Sequence, residues 1–428
     1  MNFNLSMSAC RQAFLPLFLI AVVCLLCYSN TFSVPFQFDD PDNISEMPFV
    51  RNIGVFFGPE WVSPGSTFVM RTVGFFTLAV NYRIHGEAVA GYHIVNILIH
   101  VFNGFLVYFL VLLTLRTPCL GSEKSDVGSE RSEQTSKNPS LFTFHLSHLF
   151  PLAVALLFVC HPVQTQAVTY IVQRFSSLAT LLYLLSLVLY IKWRLGQQES
   201  GVRRQETEVR SKKSAGNPLS AMRYALYALS LISAVLAMKT KEIAFTLPLV
   251  IALYEFMFFD GGLKKRMLYL VPLLLTMLII PLSLMGSTKP LGEIIGDVSE
   301  ATRVGTALPR WDYLFTQFRV IVTYIRLLFF PVSQNLDYDY PVYHSFLDPN
   351  VFLSFLFLLS IIGIGMWLAY RSWFMAHRKR LKANGAPDNE LSAISCQRLI
   401  AFGIFWFFIT LSVESSVIPI ADVIFEHR

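Results

Sequence analysis

The sequence predicts an all-α fold, that of a polytopic helical membrane protein. Of the 428 residues, 54% are hydrophobic and only 14% are charged, a balance that a water-soluble domain of this length does not show. Apolar segments of about 17–25 residues recur along the whole chain, and each is long enough for a helix to cross the hydrocarbon core of a bilayer. Most of the 34 Lys and Arg residues fall in alternate connections, as expected for a chain that crosses a membrane repeatedly.

Nine of these segments are predicted to be membrane-spanning helices. They cover residues 12–30, 92–115, 146–160, 176–193, 221–238, 243–259, 267–285, 351–370 and 398–413. The first lacks a small-residue cleavage site before the loop that follows, so we expect a retained signal anchor. A further apolar segment, 317–330, carries two arginines and is interpreted as an interfacial or re-entrant helix, with a true span as the alternative.

Basic residues set the predicted orientation. With the N-terminus cytoplasmic, the connections 116–147, 192–223 and 371–398 lie inside and hold most of the Lys and Arg residues. Two segments within them, 121–140 and 197–217, are poor in apolar residues and are predicted to be flexible linkers.

The opposite, outer face is different in composition. The first outer loop, 31–91, and the long 286–350 region are rich in aromatic, acidic and amide residues. We therefore expect ordered outer loops and place any chemistry on that side.

The leading catalytic candidates are Asp39 and Asp40, which follow the first apolar segment directly. A carboxylate held partly desolvated at a membrane interface has a raised pKa, which suits a general base. Since adjacent side chains point in different directions, one carboxylate could contact substrate while the other organises the loop or a cation. The alternative is a solvated turn that begins the next helix, because Asp-Pro-Asp-Asn is also good turn chemistry.

Several cations on the same face are candidates for binding a phosphate. His161 ends the third span, and Arg174 precedes the fourth. Lys241 lies in a tight connection beside Glu242, where near-membrane charge tends to be functional. Arg319 and Arg326 are two helical turns apart and so share one helix face. The alternatives are helix capping, a structural Lys241–Glu242 pair, and snorkelling of the two arginines to the headgroups.

Two further sets of polar residues have distinct interpretations. Asp337 and Asp339 lie close to Tyr340 in the sequence, and carboxylates beside aromatic rings suit sugar or peptide binding. The alternative is a belt of tyrosines at the membrane interface. Glu242 and Glu414 are further candidate contacts. Polar residues at helical spacing in the second span predict a face that makes packing hydrogen bonds inside the bundle, and these are His93, Asn96, His100 and Asn103.

Some classes of function are excluded by what the sequence lacks. No Gly-rich phosphate loop, serine-hydrolase elbow or zinc-ligand spacing is present, and the basic runs suit anionic lipid rather than nucleic acid. The six cysteines follow no ligand pattern and are interpreted as small apolar fillers rather than a disulfide framework.

Taken together, several segments resemble the transmembrane part of the transmembrane-and-tetratricopeptide-repeat O-mannosyltransferases and their bacterial relatives, in the GT-C class of glycosyltransferases. The matching pieces, in order, are Phe38-Asp39-Asp40, Gly91 to Asn96 with His100, His161 to Val168, Lys241-Glu242, Tyr313 to Arg319, Tyr324 to Leu327, Pro331 to Tyr340 and Glu414 to Pro419. No repeat of the 34-residue kind is visible, so we expect a family member incomplete at its C-terminus or one whose acceptor is recognised in another way.

The resemblance implies a GT-C-like transmembrane domain over residues 1–428 that moves a hexose such as mannose. The donor would be a polyprenyl-phosphate sugar and the acceptor a hydroxyl of a protein, as Ser or Thr, or of a glycan. The acid in the first outer loop would activate that hydroxyl at the periplasmic face of a bacterial inner membrane, or the lumenal face of the ER. No metal is required for a phosphate held by cations; a divalent ion at Asp39 and Asp40 is the alternative.

Two other classes of function remain open from the sequence. A transporter or flippase for a lipid-linked saccharide would place essential charges along a path through the membrane. A non-catalytic assembly protein derived from such an enzyme is the third alternative, and only the expected incompleteness at the C-terminus supports it.

Overall fold

The computed structural model describes residues 7–58, 67–120, 141–207, 218–284, 309–335, 340–381 and 388–415. Every regular element within these ranges is a helix, which confirms the all-α prediction. The chain divides into two compact units. The first comprises Met1–Trp61, Arg71–Thr117 and Ser125–Lys241, and the second comprises Val62–Met70, Pro118–Lys124 and Glu242–Arg428.

The first unit is built around five long helices and several short ones. In chain order they are α1 (Met7–Cys27), α2 (Asp40–Asn43), α3 (Pro48–Arg51), α5 (Thr72–His85), α6 (Val89–Thr114), α7 (Leu141–Cys160), α8 (Thr165–Thr169), α9 (Arg174–Thr207) and α10 (Pro218–Met238). Short 3₁₀ helices cover Ile53–Phe57, Pro162–Gln164 and Ile171–Gln173. Helix α6 packs against α1, α7 and α9 and so lies at the centre of this unit.

The core of the first unit lies where α1, α6, α7 and α8 meet. Its buried members are Ile20, Cys24, Tyr28, Ile97, Val101, Tyr108, Leu112, Ala155, Val159 and Val168. Gly104 allows the close approach of these helices, because a Cβ at this position would lie 2.6 Å from Val159 Cγ1 and 2.8 Å from Ile20 Cγ2. Any larger side chain would push α1 and α7 away from α6.

The second unit contains the remaining helices. They are α4 (Thr67–Met70), α11 (Leu247–Phe258), α12 (Leu263–Leu275), α13 (Ile279–Leu284), α14 (Arg310–Phe329), α15 (Pro349–Leu381) and α16 (Asp388–Leu411), with 3₁₀ helices at Glu242–Thr246 and Thr276–Leu278. Aromatic rings fix the packing of α11 on α16, since Phe402 makes edge contacts with Tyr254 and Phe258 at centroid distances of 5.4 and 5.3 Å.

Five helices of the described part of the chain are long and apolar enough to cross a membrane. They are Val89–Thr114, Ile171–Gln198, Leu263–Ser283, Pro349–Met375 and Ile394–Leu411. A bent pair, His148–Cys160 with Pro162–Thr169, would make a sixth span. Helices also occur at the other predicted spans, but Phe14–Cys27 and Met222–Met238 are shorter apolar helices, so nine spans remain a prediction.

Helix boundaries differ from the sequence-based prediction in three places. Helix α5 lies inside the segment 31–91 that we expected to be a loop. Helix α9 continues to Thr207, into the segment predicted to be a linker, because Gln, Glu and Arg favour helix outside the membrane as well. Helix α14 begins at Arg310, earlier than the predicted 317–330 helix. The predicted linker 121–140 lies outside the described residues.

Candidate active site

The segment that carries the two candidate carboxylates follows α1 and turns sharply before α2. Phe38 has a backbone φ of +46°, in the left-handed region that a bulky aromatic residue rarely adopts. Its exposed ring lies against Tyr170, with the ring centroids 6.2 Å apart. Strain of this kind persists only where the surroundings hold it, and it is typical of functional segments.

Asp40 is buried, with only 1% of its surface exposed. One carboxylate oxygen, Oδ2, accepts a hydrogen bond from the Gln37 backbone N–H at 3.0 Å. The other, Oδ1, accepts one from the Val172 N–H at 2.8 Å. Asp40 therefore closes its own turn and ties it to a segment that lies 132 residues further along the chain.

The environment of Asp40 shifts its acidity. Burial raises its pKa to about 6, while the backbone donors Gln37, Val172 and Ile171 oppose that rise. The ionised form therefore predominates above about pH 6, where it accepts both backbone hydrogen bonds. Below that value one oxygen carries a proton and becomes a poorer acceptor.

Asp39 is placed differently although it is the next residue. Its side chain is exposed, and its backbone is fixed on both sides. The N–H donates to the Tyr170 hydroxyl at 3.1 Å, and the carbonyl accepts from Asn43 Nδ2 at 2.9 Å. The two aspartates thus point in different directions, as their adjacency predicts. One carboxylate is held inside by backbone donors, and the other is presented at the surface.

The segment that receives these contacts, residues 161–173, is positioned by the polar face of α6. All four predicted stripe residues, His93, Asn96, His100 and Asn103, are buried. His100 Nε2 contacts the Val159 carbonyl at 3.2 Å, and Asn96 Nδ2 donates to the carbonyls of Val168 and Ile171 at 3.4 and 3.3 Å.

The other two stripe residues hold neighbouring segments. His93 Nε2 contacts the Val34 carbonyl at 2.9 Å, and Asn103 Nδ2 donates to the Ser177 carbonyl at 3.0 Å. These contacts confirm the prediction that the stripe makes packing hydrogen bonds inside the bundle. They also connect α6 to the chain before Asp39, at Val34, and to α9, at Ser177.

Arg174 begins α9 and is completely buried. Its Nε donates to Asn96 Oδ1 at 2.7 Å, and Nη2 donates to Asn81 Oδ1 at 2.8 Å and to the Tyr92 carbonyl at 3.0 Å. Nη1 donates to the Thr77 carbonyl at 3.3 Å, so the guanidinium joins α5, α6 and α9. A side chain that we expected to hold a phosphate is thus engaged with acceptors of the protein.

Two further candidate cations also lie in the first unit. Lys241 is buried, and its Nζ donates to Ser176 Oγ at 2.7 Å. His161 is half-buried at the start of the Pro162–Gln164 turn, where its Nδ1 accepts from the Val163 N–H at 3.3 Å. His161 therefore caps this turn, at the start of the segment that holds Asp39 and Asp40.

The remaining candidates belong to the second unit. Arg319 is half-buried; its Nη1 donates to Ser354 Oγ at 3.2 Å, while its buried Nε has no hydrogen-bond partner within the described ranges. Arg326 is exposed on the same helix. The Tyr340 hydroxyl lies 3.3 Å from Thr323 Oγ1, and the Glu414 carbonyl accepts from the Tyr313 hydroxyl at 2.6 Å. Asp337 and Asp339 lie outside the described residues, and Glu242 begins a 3₁₀ helix.

Two contributors to this arrangement were not predicted from the sequence. Tyr170, whose hydroxyl accepts from Asp39, was not selected, and neither was the Val172 backbone N–H. An aromatic residue in a segment rich in polar residues was a signal for Tyr170, but a backbone donor cannot be recognised in a sequence. Within the described ranges, no group of three or more His, Cys, Asp or Glu side chains is arranged to hold a metal ion.

Comparison with known proteins gives a partial match. No protein-family model and no solved structure matches this chain. Among curated proteins, it is 30% identical over 182 residues to protein O-mannosyl-transferase Tmtc3 of Drosophila melanogaster, covering 40% of this chain and 18% of that protein. It is 26% identical over 186 residues to protein O-mannosyl-transferase F38B6.6 of Caenorhabditis elegans, covering 41% and 23%.

A third relative comes from Homo sapiens. The chain is 29% identical over 182 residues to protein O-mannosyl-transferase TMTC4, covering 40% of this chain and 22% of the relative. The match therefore spans about a fifth of the length of each of these proteins. The chain is similar to the transmembrane-and-tetratricopeptide-repeat type of protein O-mannosyltransferase, as its motifs indicate.

Proposed function

We propose that this protein is an integral-membrane glycosyltransferase. It moves a hexose such as mannose from a polyprenyl-phosphate donor to an acceptor hydroxyl, that of a protein Ser or Thr, at the outer face of the membrane. The observation that carries this proposal is the unequal placement of Asp39 and Asp40, one exposed and one buried on backbone donors. The similarity to protein O-mannosyltransferases supports the choice of reaction.

In this proposal Asp39 is the general base. Its carboxylate takes the proton of the acceptor hydroxyl while that oxygen attacks the anomeric carbon of the sugar. The bond from the anomeric carbon to the phosphate oxygen breaks at the same time, and the polyprenyl phosphate leaves with the electron pair. Attack opposite the leaving group inverts the anomeric configuration. Asp40 is a positioning residue, because its two oxygens are occupied in shaping the turn that presents Asp39.

The leaving phosphate needs cations that are not already occupied. Arg319 and Arg326 belong to the second unit and remain candidates for the phosphate on the basis of the sequence, since a guanidinium pairs well with phosphate oxygens. Such groups lower the barrier by stabilising charge that develops on the departing oxygen. His161, Lys241 and Arg174 then serve mainly to hold the segment that carries the base.

The decisive experiment compares three aspartates that lie within four positions of one another. Asp39→Asn, Asp40→Asn and Asp42→Asn are assayed in membranes for transfer of labelled mannose from polyprenyl-phosphate mannose to a protein acceptor. Asp39→Asn should lower the rate by about 100-fold or more, the usual loss when a general base is removed. Asp40→Asn should lower it less, by loosening the turn. Asp42 is exposed on the same short helix, and its variant should behave as the parent protein.

Transfer that survives Asp39→Asn unchanged would contradict the assignment of the base. Transfer that is absent from the parent protein, together with movement of the lipid-linked sugar between leaflets of sealed vesicles, would instead favour a transporter. Binding of acceptor protein without either activity would favour the non-catalytic assembly protein.

A further inference from the structure

Two cysteines meet at the point where α1 and α7 end. Cys27 is the last residue of α1, and Cys160 is the last residue of α7. Their sulfur atoms lie 3.7 Å apart although 133 residues separate them in the sequence, and both side chains are exposed. This contrasts with Cys24, one helical turn earlier on α1, which is fully buried in the core and fits the role of an apolar filler.

The backbones around the two cysteines are already held together. Tyr28, which follows Cys27, donates its hydroxyl to the carbonyl of Val159, the residue before Cys160, at 3.3 Å. His100 contacts the same carbonyl from α6. The two sulfurs therefore stay neighbours whatever the state of the thiols. A disulfide has an S–S distance of about 2.05 Å, so its formation needs an approach of about 1.7 Å.

The position of this pair relates it to the candidate site. The chain that leaves Cys27 reaches Asp39 and Asp40, and the chain that leaves Cys160 reaches Tyr170 and Val172. Hydrogen bonds already join these two segments at Asp39–Tyr170 and Asp40–Val172. A covalent bond between Cys27 and Cys160 would join the same two segments where they begin, at the ends of α1 and α7.

We propose that Cys27 and Cys160 form an intramolecular disulfide that ties α1 to α7 beneath the aspartate segment. The proposal rests on the proposed outer-face location of this site, because disulfides persist in oxidising compartments such as the ER lumen or the periplasm. It revises our interpretation of the cysteines as fillers for these two alone.

The oxidant is a protein disulfide of a thiol oxidoreductase. The thiolate of one cysteine attacks that disulfide, forms a mixed disulfide and expels one carrier thiolate. The thiolate of the second cysteine then attacks the sulfur of the first and expels the other carrier thiolate. Cys27 and Cys160 lose two electrons and two protons in total, and the carrier is recovered as its dithiol.

The test counts the cysteines that are held in disulfides, in the protein without any sugar donor. Cells are treated with a small alkylating agent to block free thiols, and the protein is denatured, reduced and labelled with a maleimide polymer that shifts its mobility on a gel. Of the six cysteines of this chain, two should be labelled, because only those in a disulfide escape the first blocking step.

Two variants and a matched control identify the pair. Cys27→Ser and Cys160→Ser should each abolish the labelling completely, since the remaining partner is then free and is blocked. Cys24→Ser should leave two labelled cysteines. No labelling in the parent protein, or labelling that persists in Cys27→Ser, would overturn the proposal. A protein that fails to transfer sugar can still show the disulfide, so the failure of one proposal is distinguishable from the failure of the other.

Discussion

The apolar helices of the two units differ in what surrounds them. In the first unit, 56% of the most apolar window of Val89–Thr114 and 67% of that of Ile171–Gln198 are buried within the protein. In the second unit, the corresponding shares are 22% for Pro349–Met375 and 17% for Ile394–Leu411. Helices of similar length and hydropathy thus have different surroundings.

Polar side chains follow this difference in burial. Helix α6 carries four buried His and Asn residues, each with a backbone carbonyl as a partner. The exposed surface of α15 is instead covered by large apolar side chains such as Leu353, Ile364 and Trp367. Lipid tails are as apolar as the side chains of a helix, so apolar contact alone does not decide which helices pair in a membrane. Hydrogen bonds can specify the pairing of buried helices, whereas a helix that faces lipid needs only an apolar surface.

The largest expected effect is on stability, and it compares two arginines, Arg174 of α9 and Arg371 of α15. Arg174→Leu should lower the free energy of unfolding by about 3–5 kcal/mol, because it leaves several buried acceptors without a donor. Arg371, exposed on α15 with its guanidinium 5.3 Å from the Trp367 ring centre, should cost about 0.5 kcal/mol when changed to Leu. Thermal unfolding in detergent measures both. Equal losses would show that burial does not determine the cost.

A smaller effect is expected at two glycines. Gly104→Ala should destabilise by about 1–3 kcal/mol, since its Cβ would overlap Val159 and Ile20 in the core of the first unit. Gly403, on α16, has no atom within 4 Å of the position of a Cβ. Gly403→Ala should stabilise by about 0.5–1 kcal/mol, because alanine loses less conformational freedom in a helix. A stabilising Gly104→Ala would contradict the tight packing of α6.

The smallest expected effect is the pH dependence that the buried Asp40 gives to sugar transfer. The pKa of Asp40, raised to about 6, predicts that sugar transfer falls as the pH drops through that value, by at most about tenfold at pH 5. The sign for stability is opposite. A raised pKa means that the charged form opposes folding above pH 6, and this cost is relieved as the pH falls.

The rate of transfer between pH 5 and pH 8 tests this prediction. Asp40→Asn should remove the step near pH 6, and Asp42→Asn should retain it. A step that survives in Asp40→Asn belongs to another group, and the role given to Asp40 would then be wrong.

Much of this protein follows from its sequence. Hydropathy and length predict the helices, since an apolar run must satisfy its own backbone hydrogen bonds in a membrane. The spacing of His93, Asn96, His100 and Asn103 predicts a polar face that points into the bundle. The neighbouring positions of Asp39 and Asp40 indicate two different environments. None of these inferences requires knowledge of distant contacts.

The tertiary structure decided which group occupies which environment. Asp40 is the buried carboxylate because the Val172 N–H, 132 residues away, reaches it, and Arg174 is engaged because two other helices, α5 and α6, bring neutral acceptors to it. Cys27 and Cys160 meet for the same reason. Such pairings depend on how the helices pack. Neither the helical periodicity of a segment nor its composition specifies which distant residue lies opposite a given side chain.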